Sequence, residues 1–166
     1  MKFLKYTKII ISFFALIISP SLLNASEIEI EIKGNSFTDK SVILSLFEEK
    51  PTSLNDEYSN YLIKKLDNSN LFANVTVKIE GNKYIIDISE YANINKIYFE
   101  NNERLKDDEL ESIANEINLN NTNPNSLNNY ISEITKIYES FGYNNFNISY
   151  TENLYEDSNT ADIYFK

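Results

Sequence analysis

Val75-Thr76-Val77-Lys78-Ile79-Glu80-Gly81-Asn82-Lys83-Tyr84-Ile85-Ile86-Asp87-Ile88 reads as a β-hairpin. Val75, Val77 and Ile79 alternate with polar residues, and Tyr84, Ile86 and Ile88 repeat the pattern beyond Gly81-Asn82. A period of two is that of a strand with one buried face, and Gly81-Asn82 supplies the turn. Upstream, Tyr58, Leu62 and Leu66 stand at i, i+4 and i+8, one face of a helix that Asn68-Ser69-Asn70 interrupts. Pro51 ends an earlier helix with Val42, Ile43, Leu46 and Phe47 on one face. Thr38 or Asp39 is suited to cap it. Before that, Ile28, Ile30 and Ile32 alternate with Glu27, Glu29 and Glu31 up to a turn at Gly34-Asn35. The order is strand, helix, helix, strand, strand.

The same order then recurs. Ile97 and Phe99 form a strand and Asn101-Asn102 a turn. Leu110, Ile113, Ala114 and Ile117 make a helical face. Pro124 opens the next helix, since proline suits a first turn. That helix carries Leu127, Tyr130, Ile131, Ile134, Tyr138 and Phe141 and stops at Gly142. Phe146, Ile148 and Tyr150 alternate as a strand, residues 157–159 turn, and Ile163 and Phe165 belong to the last strand. Ile32 and Phe99, Asn35 and Asn102, and Ile43 and Leu110 are each 67 residues apart, whereas Val75 and Ile148 are 73 apart. The chain is therefore a duplication of one supersecondary unit. About six extra residues in the second copy are expected mostly in its helix connection and second helix. The join near Tyr91-Ala92-Asn93 has no Gly/Ser run, so motion between the units should be limited to hinge bending.

Composition narrows the chemistry. Of 166 residues, 42% are apolar and 24% charged, which is ordinary for a globular chain. The net charge of −10 argues against nucleic acid or anionic lipid as a main partner. With no Cys and no His, the chain has no disulfide, thiolate or imidazole metal site, cysteine nucleophile or Ser-His-Asp triad. Lys2, Lys5 and Lys8 precede an apolar run from Ile9 to Ile18, then Pro20 and Ala25. This is the layout of a secretory signal over residues 1–25. The run is shorter than the roughly 20 residues of a spanning helix. Export of the remainder is expected.

The segment Leu66-Asp67-Asn68-Ser69-Asn70-Leu71-Phe72-Ala73-Asn74-Val75, behind a strand ending in Gly34-Asn35, resembles the POTRA domain family. Leu66, Ser69, Leu71, Phe72 and Val75 match its pattern. Asn70 replaces the usual glycine, the mildest exchange at a left-handed backbone position. In the second unit, Tyr138, Gly142, Tyr143 and Ile148 match, and Asn102 stands in the turn where Gly-Asn is usual. A signal followed at once by two such units is similar to the start of the BamA family of outer-membrane β-barrel assembly factors. The resemblance implies an α+β fold. It would comprise two tandem β-α-α-β-β POTRA domains, residues 26–91 and 92–166, each a three-stranded mixed sheet with two helices on one face. It further implies a non-catalytic scaffold at the periplasmic face of the outer membrane, without cofactor or small-molecule substrate. Its partners would be unfolded outer-membrane proteins and assembly-complex lipoproteins, bound by β-augmentation. The docking edges implied are the second strand of each unit: Val75, Thr76, Val77, Lys78 and Ile79, and Phe146, Asn147, Ile148, Ser149 and Tyr150. A two-partner secretion transporter and a cell-division protein are alternative settings for the same domains.

Other residue groups read more simply. Asp107, Asp108, Glu109 and Glu111 would suit a hard cation, but acids at a helix start also favour the helix dipole. Glu48-Glu49 and Glu27, Glu29 and Glu31 could furnish a hydrolase carboxylate pair, yet no two acids can be placed converging in a cleft. Tyr58, Tyr130 and Tyr138 fall on helix faces and read as core.

Overall fold

The computed structural model describes residues 27–166, so the expected leader at 1–25 lies outside the described residues. The first unit comprises β1 (Glu29–Lys33), α1 (Lys40–Ser45), α2 (Asp56–Asn68), β2 (Phe72–Glu80) and β3 (Lys83–Glu90). The second comprises β4 (Asn93–Phe99), α3 (Asp107–Glu116), α4 (Pro124–Ser140), β5 (Tyr150–Tyr155) and β6 (Thr160–Phe165). Each unit folds into a mixed three-stranded sheet, ordered β1-β3-β2 and β4-β6-β5. The first strand pairs parallel with the last, and the hairpin pairs antiparallel.

The last strand of each unit is central, and its composition shows it. In β3, Tyr84, Ile85, Ile86 and Ile88 are all buried, and in β6 Ala161, Ile163 and Phe165 are. Each sheet closes its own core against its own helices. Ile43, Leu62, Leu66, Phe72, Tyr84, Ile86 and Ile88 form one cluster. Leu110, Ala114, Leu127, Tyr130, Ile134, Ile163 and Phe165 belong to the other. Buried tyrosines keep their hydroxyls paired, as burial demands. The Tyr84 hydroxyl donates to the Ser53 carbonyl at 2.8 Å, and that of Tyr130 to the Leu110 carbonyl at 3.0 Å.

The duplication extends to single hydrogen bonds. Asn35 Nδ2 donates to the Thr38 carbonyl at 3.2 Å, and 67 residues on Asn102 Nδ2 donates to the Leu105 carbonyl at 3.0 Å. The preceding residue is left-handed in both, Gly34 at φ 83° and Asn101 at φ 62°. The second helix is longer, as expected, with 17 residues in α4 against 13 in α2; the connection is not, because α3 has 10 residues where α1 has 6 and the stretch between the helices shortens from 46–55 to 117–123.

The join is pinned by asparagines. Asn70 is left-handed (φ 58°), and its carbonyl accepts from Asn121 Nδ2 at 2.9 Å and, more weakly, from Asn123 Nδ2 at 3.4 Å. Asn123 Nδ2 also reaches Asn70 Oδ1 at 3.2 Å. Asn121 and Asn123 are both buried. The Tyr91 amide donates to the Leu71 carbonyl, the Thr122 amide to the Ala92 carbonyl, and Asn159 Nδ2 to the Tyr91 carbonyl. The linker is thus held from both units, which restricts the hinge bending expected of it.

Two predictions follow from these contacts. A Cβ on Gly34 would stand 1.9 Å from the Ile88 carbonyl oxygen at a positive φ. Gly34→Ala should therefore cost on the order of 3 kcal/mol in urea unfolding of the first unit and leave the second unit's transition unchanged. Asn121→Ala removes the main cross-unit donor and should loosen the join. Residual dipolar couplings should fit one alignment tensor for the parent and need two for the variant.

Candidate interaction site on the sheet edges

A strand pairs on one side only at a sheet edge and leaves a row of backbone N–H and C=O groups unpaired on the other. The four edge strands here differ in how that row is treated. β1 has five residues and carries alternating charge. Its Glu31 is tied to Lys83 of β3 and lies 3.4 Å from Lys33. β4 is closed at its start by the protein's own chain: Asn93 bridges to Asn121, and the Ile94 amide donates to the Asn120 carbonyl at 2.9 Å. β2 and β5 carry no such cover among the described residues.

β2 is the longer of the two, at nine residues. Val75 and Val77 are half-buried against the core while Thr76 and Lys78 are exposed, as the alternation predicts. Ile79 departs from it. It is 39% exposed and outside the core cluster, because it lies at the strand's far end beside the Gly81 turn. Lys78 places a charge on the open edge, a device that disfavours permanent pairing. The motif residues preceding β2 are structural: Leu66 and Phe72 are buried, and Asn70 makes the left-handed turn between α2 and β2.

In the second unit the sequence misplaced the edge. The strand expected over Phe146–Tyr150 is observed as β5 at Tyr150–Tyr155. Tyr150 pairs with Phe165, and Ser149 exchanges two 2.9 Å backbone hydrogen bonds with Lys166. Phe146, Asn147 and Ile148 precede Ser149, where the observed pairing starts. Phe146 and Ile148 turn instead toward α4 and the core, with the Phe146 ring 5.2 Å from that of Tyr138. Gly142 (φ 90°) ends α4, and Tyr143 packs edge-on against Tyr138 at 5.8 Å. The edge of β5 is decorated by residues not singled out from sequence. Leu154 and Tyr155 are exposed, and the Tyr155 hydroxyl donates to Asp162 Oδ2 at 3.0 Å. That hydrogen bond, more than burial, pushes the Tyr155 pKa up.

The acidic groups are absorbed locally. Asp107 accepts from Asn102 Nδ2 at 2.7 Å, and Glu109 accepts from the Lys106 amide at 2.9 Å, which closes the start of α3. Lys65 Nζ donates to Glu48 at 2.7 Å and holds its carboxyl below the usual value. Lys83 does the same for Glu31.

Residues 92–166 match the family model POTRA, described as surface antigen variable number repeat. That match covers the second unit, under half of the chain. The first repeats its topology, so the fold is a tandem POTRA pair. Two solved structures share it. One is the N-terminal domain of Omp85 from the thermophilic cyanobacterium Thermosynechococcus elongatus, with TM-score 0.59 and 15% identity. The match covers 83% of this chain and 60% of that one, so the chain spans well under the whole of that domain. The other is POTRA1-2 of the periplasmic domain of Omp85 from Anabaena, with TM-score 0.52 and 16% identity over 82% of this chain and 91% of that one. No curated protein matches the sequence.

The edge pairing yields a pH prediction. Because Lys83 lowers the Glu31 pKa, the stabilisation from this pair is present at neutral pH and lost as pH falls through that lowered value. An NMR titration should place Glu31 below free glutamate, and Lys83→Met should return it toward the ordinary value.

Proposed function

We propose that this tandem POTRA pair is a non-catalytic periplasmic scaffold for the assembly of outer-membrane β-barrel proteins. It holds unfolded clients or partner subunits by adding their strands to its own sheet. The observation that carries this reading is the uncovered outer edge of β2, nine residues long, with Phe72, Val75 and Val77 directed into the core. Such an edge offers main-chain hydrogen bonds and asks little of the client's side chains. That suits a factor serving many unlike sequences. Ser149 to Tyr155 offers a second, shorter edge, with Leu154 and Tyr155 as apolar contacts. The shared fold with the periplasmic domain of an Omp85 protein supports the setting. So does the amino-terminal signal read from the sequence. Among the described residues no helix is long and apolar enough to cross a membrane.

Carboxylate hydrolysis needs a general acid with a raised pKa. Of the acids considered for that chemistry, Glu31 and Glu48 are shifted the opposite way by their lysines; burial raises Glu152, on the exposed strand β5. A scaffold asks for none of these groups to titrate.

Titration of the ¹⁵N-labelled chain with a barrel-strand peptide should shift Thr76 to Lys78, with affinity on the order of millimolar. A peptide of the same composition in scrambled order should bind within a few-fold. The peptide N-methylated on alternate residues should not bind. Equal binding by the N-methylated peptide, or no shift in β2, would contradict the proposal.

A further inference from the structure

β1 and β4 hold the same place in the duplication, yet they show different chemistry to solvent. Each pairs on one side only, parallel to its central strand. Ile30 and Ile97 are 67 residues apart and sit mid-strand on the core side. On the solvent side Ile30 is flanked by Glu29 and Glu31, and Ile97 by Lys96 and Tyr98. Glu31 is engaged by Lys83 and Lys33. Lys96 is exposed and forms no ion pair among the described residues. Tyr98 is 38% exposed. One face of its ring stacks on Tyr164 of β6, with centroids 4.7 Å and planes 12° apart, and the other face looks out along the edge. That separation is the spacing of neighbouring strands, so a strand added to β4 would lay a side chain on the free face.

The backbone has the phase such a strand needs. The Glu100 amide donates to the Phe165 carbonyl, so Glu100, Tyr98 and Lys96 turn their backbone groups toward β6. Alternate residues of a strand turn theirs the opposite way, which points Ile97 and Phe99 outward, away from β6. The protein's own chain covers this row at Asn93 and Ile94.

We propose that this edge joins two copies of the chain, their β4 strands pairing antiparallel about a twofold axis at Ile97. Such a ladder sets Ile97 against Ile97, and Lys96 of each copy against Tyr98 of the other. The outward N–H and C=O of Ile97 are exchanged between the copies as a hydrogen-bonded pair. Each Lys96 ammonium lies over the free face of the other copy's Tyr98, a cation–π contact that continues the stack begun by Tyr164. The twofold axis makes every contact occur twice. Opposite Ile94, where Asn120 already sits, the second copy places Glu100, the first residue past the end of β4, so the ladder stops where the cover begins. The first unit supplies the contrast. The same pairing of β1 about Ile30 would set Glu29 against Glu31 twice, and like charges directly opposed are destabilising. Of the two edges, that of the second unit is self-complementary. The pairing leaves β2 free, and the inference stands whether or not β2 binds clients.

The test dilutes the full ¹⁵N-labelled chain from millimolar to micromolar concentration. The ladder is short, so a dissociation constant on the order of a millimolar is expected. Dilution should move the amide signals of Ile97 and Phe99 and leave those of β2 in place. In a mixture of ¹³C-labelled and unlabelled chains, filtered NOEs should connect the Lys96 side chain to the Tyr98 ring. Lys96→Glu with Tyr98→Glu, which copies β1, should weaken association about tenfold or more. Lys96→Glu with Tyr98→Lys sets opposite charges across the axis and should restore association to within a few-fold, now sensitive to salt. Both positions face solvent, so thermal unfolding of the variants should match the parent. Absence of dilution shifts at β4, or association indifferent to the double Glu variant, would overturn the proposal. So would β4 shifts that appear only when the barrel-strand peptide is added, since a client would then be the occupant.

Discussion

Each half of this molecule depends on one strand that is paired on both sides. β3 and β6 take parallel partners on one flank and antiparallel partners on the other, and their side chains supply the centre of each core. Three strands are the fewest that produce such a centre, and they necessarily leave two edges. A unit of this size buries only ~60% of its unfolded surface, so it has little chain to spare for covering those edges. The open edge of β2 is thus a consequence of the architecture, and the charge on Lys78 keeps it available without making it a site of indiscriminate pairing.

The join shows how a fold of marginal units gains rigidity cheaply. Asn70 accepts a left-handed backbone where glycine is the family habit, and its carbonyl becomes the acceptor for two buried asparagine side chains of the second unit. Buried amides are costly unless paired. Once paired, they fix geometry more sharply than an apolar contact of the same area, because hydrogen bonds are directional. The relative setting of the two open edges is therefore held by polar side chains rather than by a shared core.

Most of the fold was legible because its signals are local. Alternation in Val75–Ile88, the i, i+4, i+8 stripe of Tyr58, Leu62 and Leu66, and the 67-residue offset are all properties of short windows. The offset located the Asn35 and Asn102 turns to the residue, since both do the same backbone work. The edge at Phe146–Tyr150 was misplaced for the complementary reason. Alternation reports what a segment would bury, and Phe146 and Ile148 bury against α4 and the core while the observed pairing starts at Ser149. The asparagine lock was invisible because bonds between residues 51 and 53 positions apart leave no periodicity. In so Asn-rich a sequence, no single asparagine stands out.

The account rests on β2 having a free outer row of backbone groups. Amide hydrogen exchange of the unliganded chain measures this directly. Within β2, amides bonded to β3 should exchange slowly, and the alternate, outward amides should exchange nearly as fast as in a loop, becoming slow when a barrel-strand peptide is added. Uniform protection along Phe72–Glu80 before any peptide is present would mean the edge is already closed, and the proposed role would lose its physical basis.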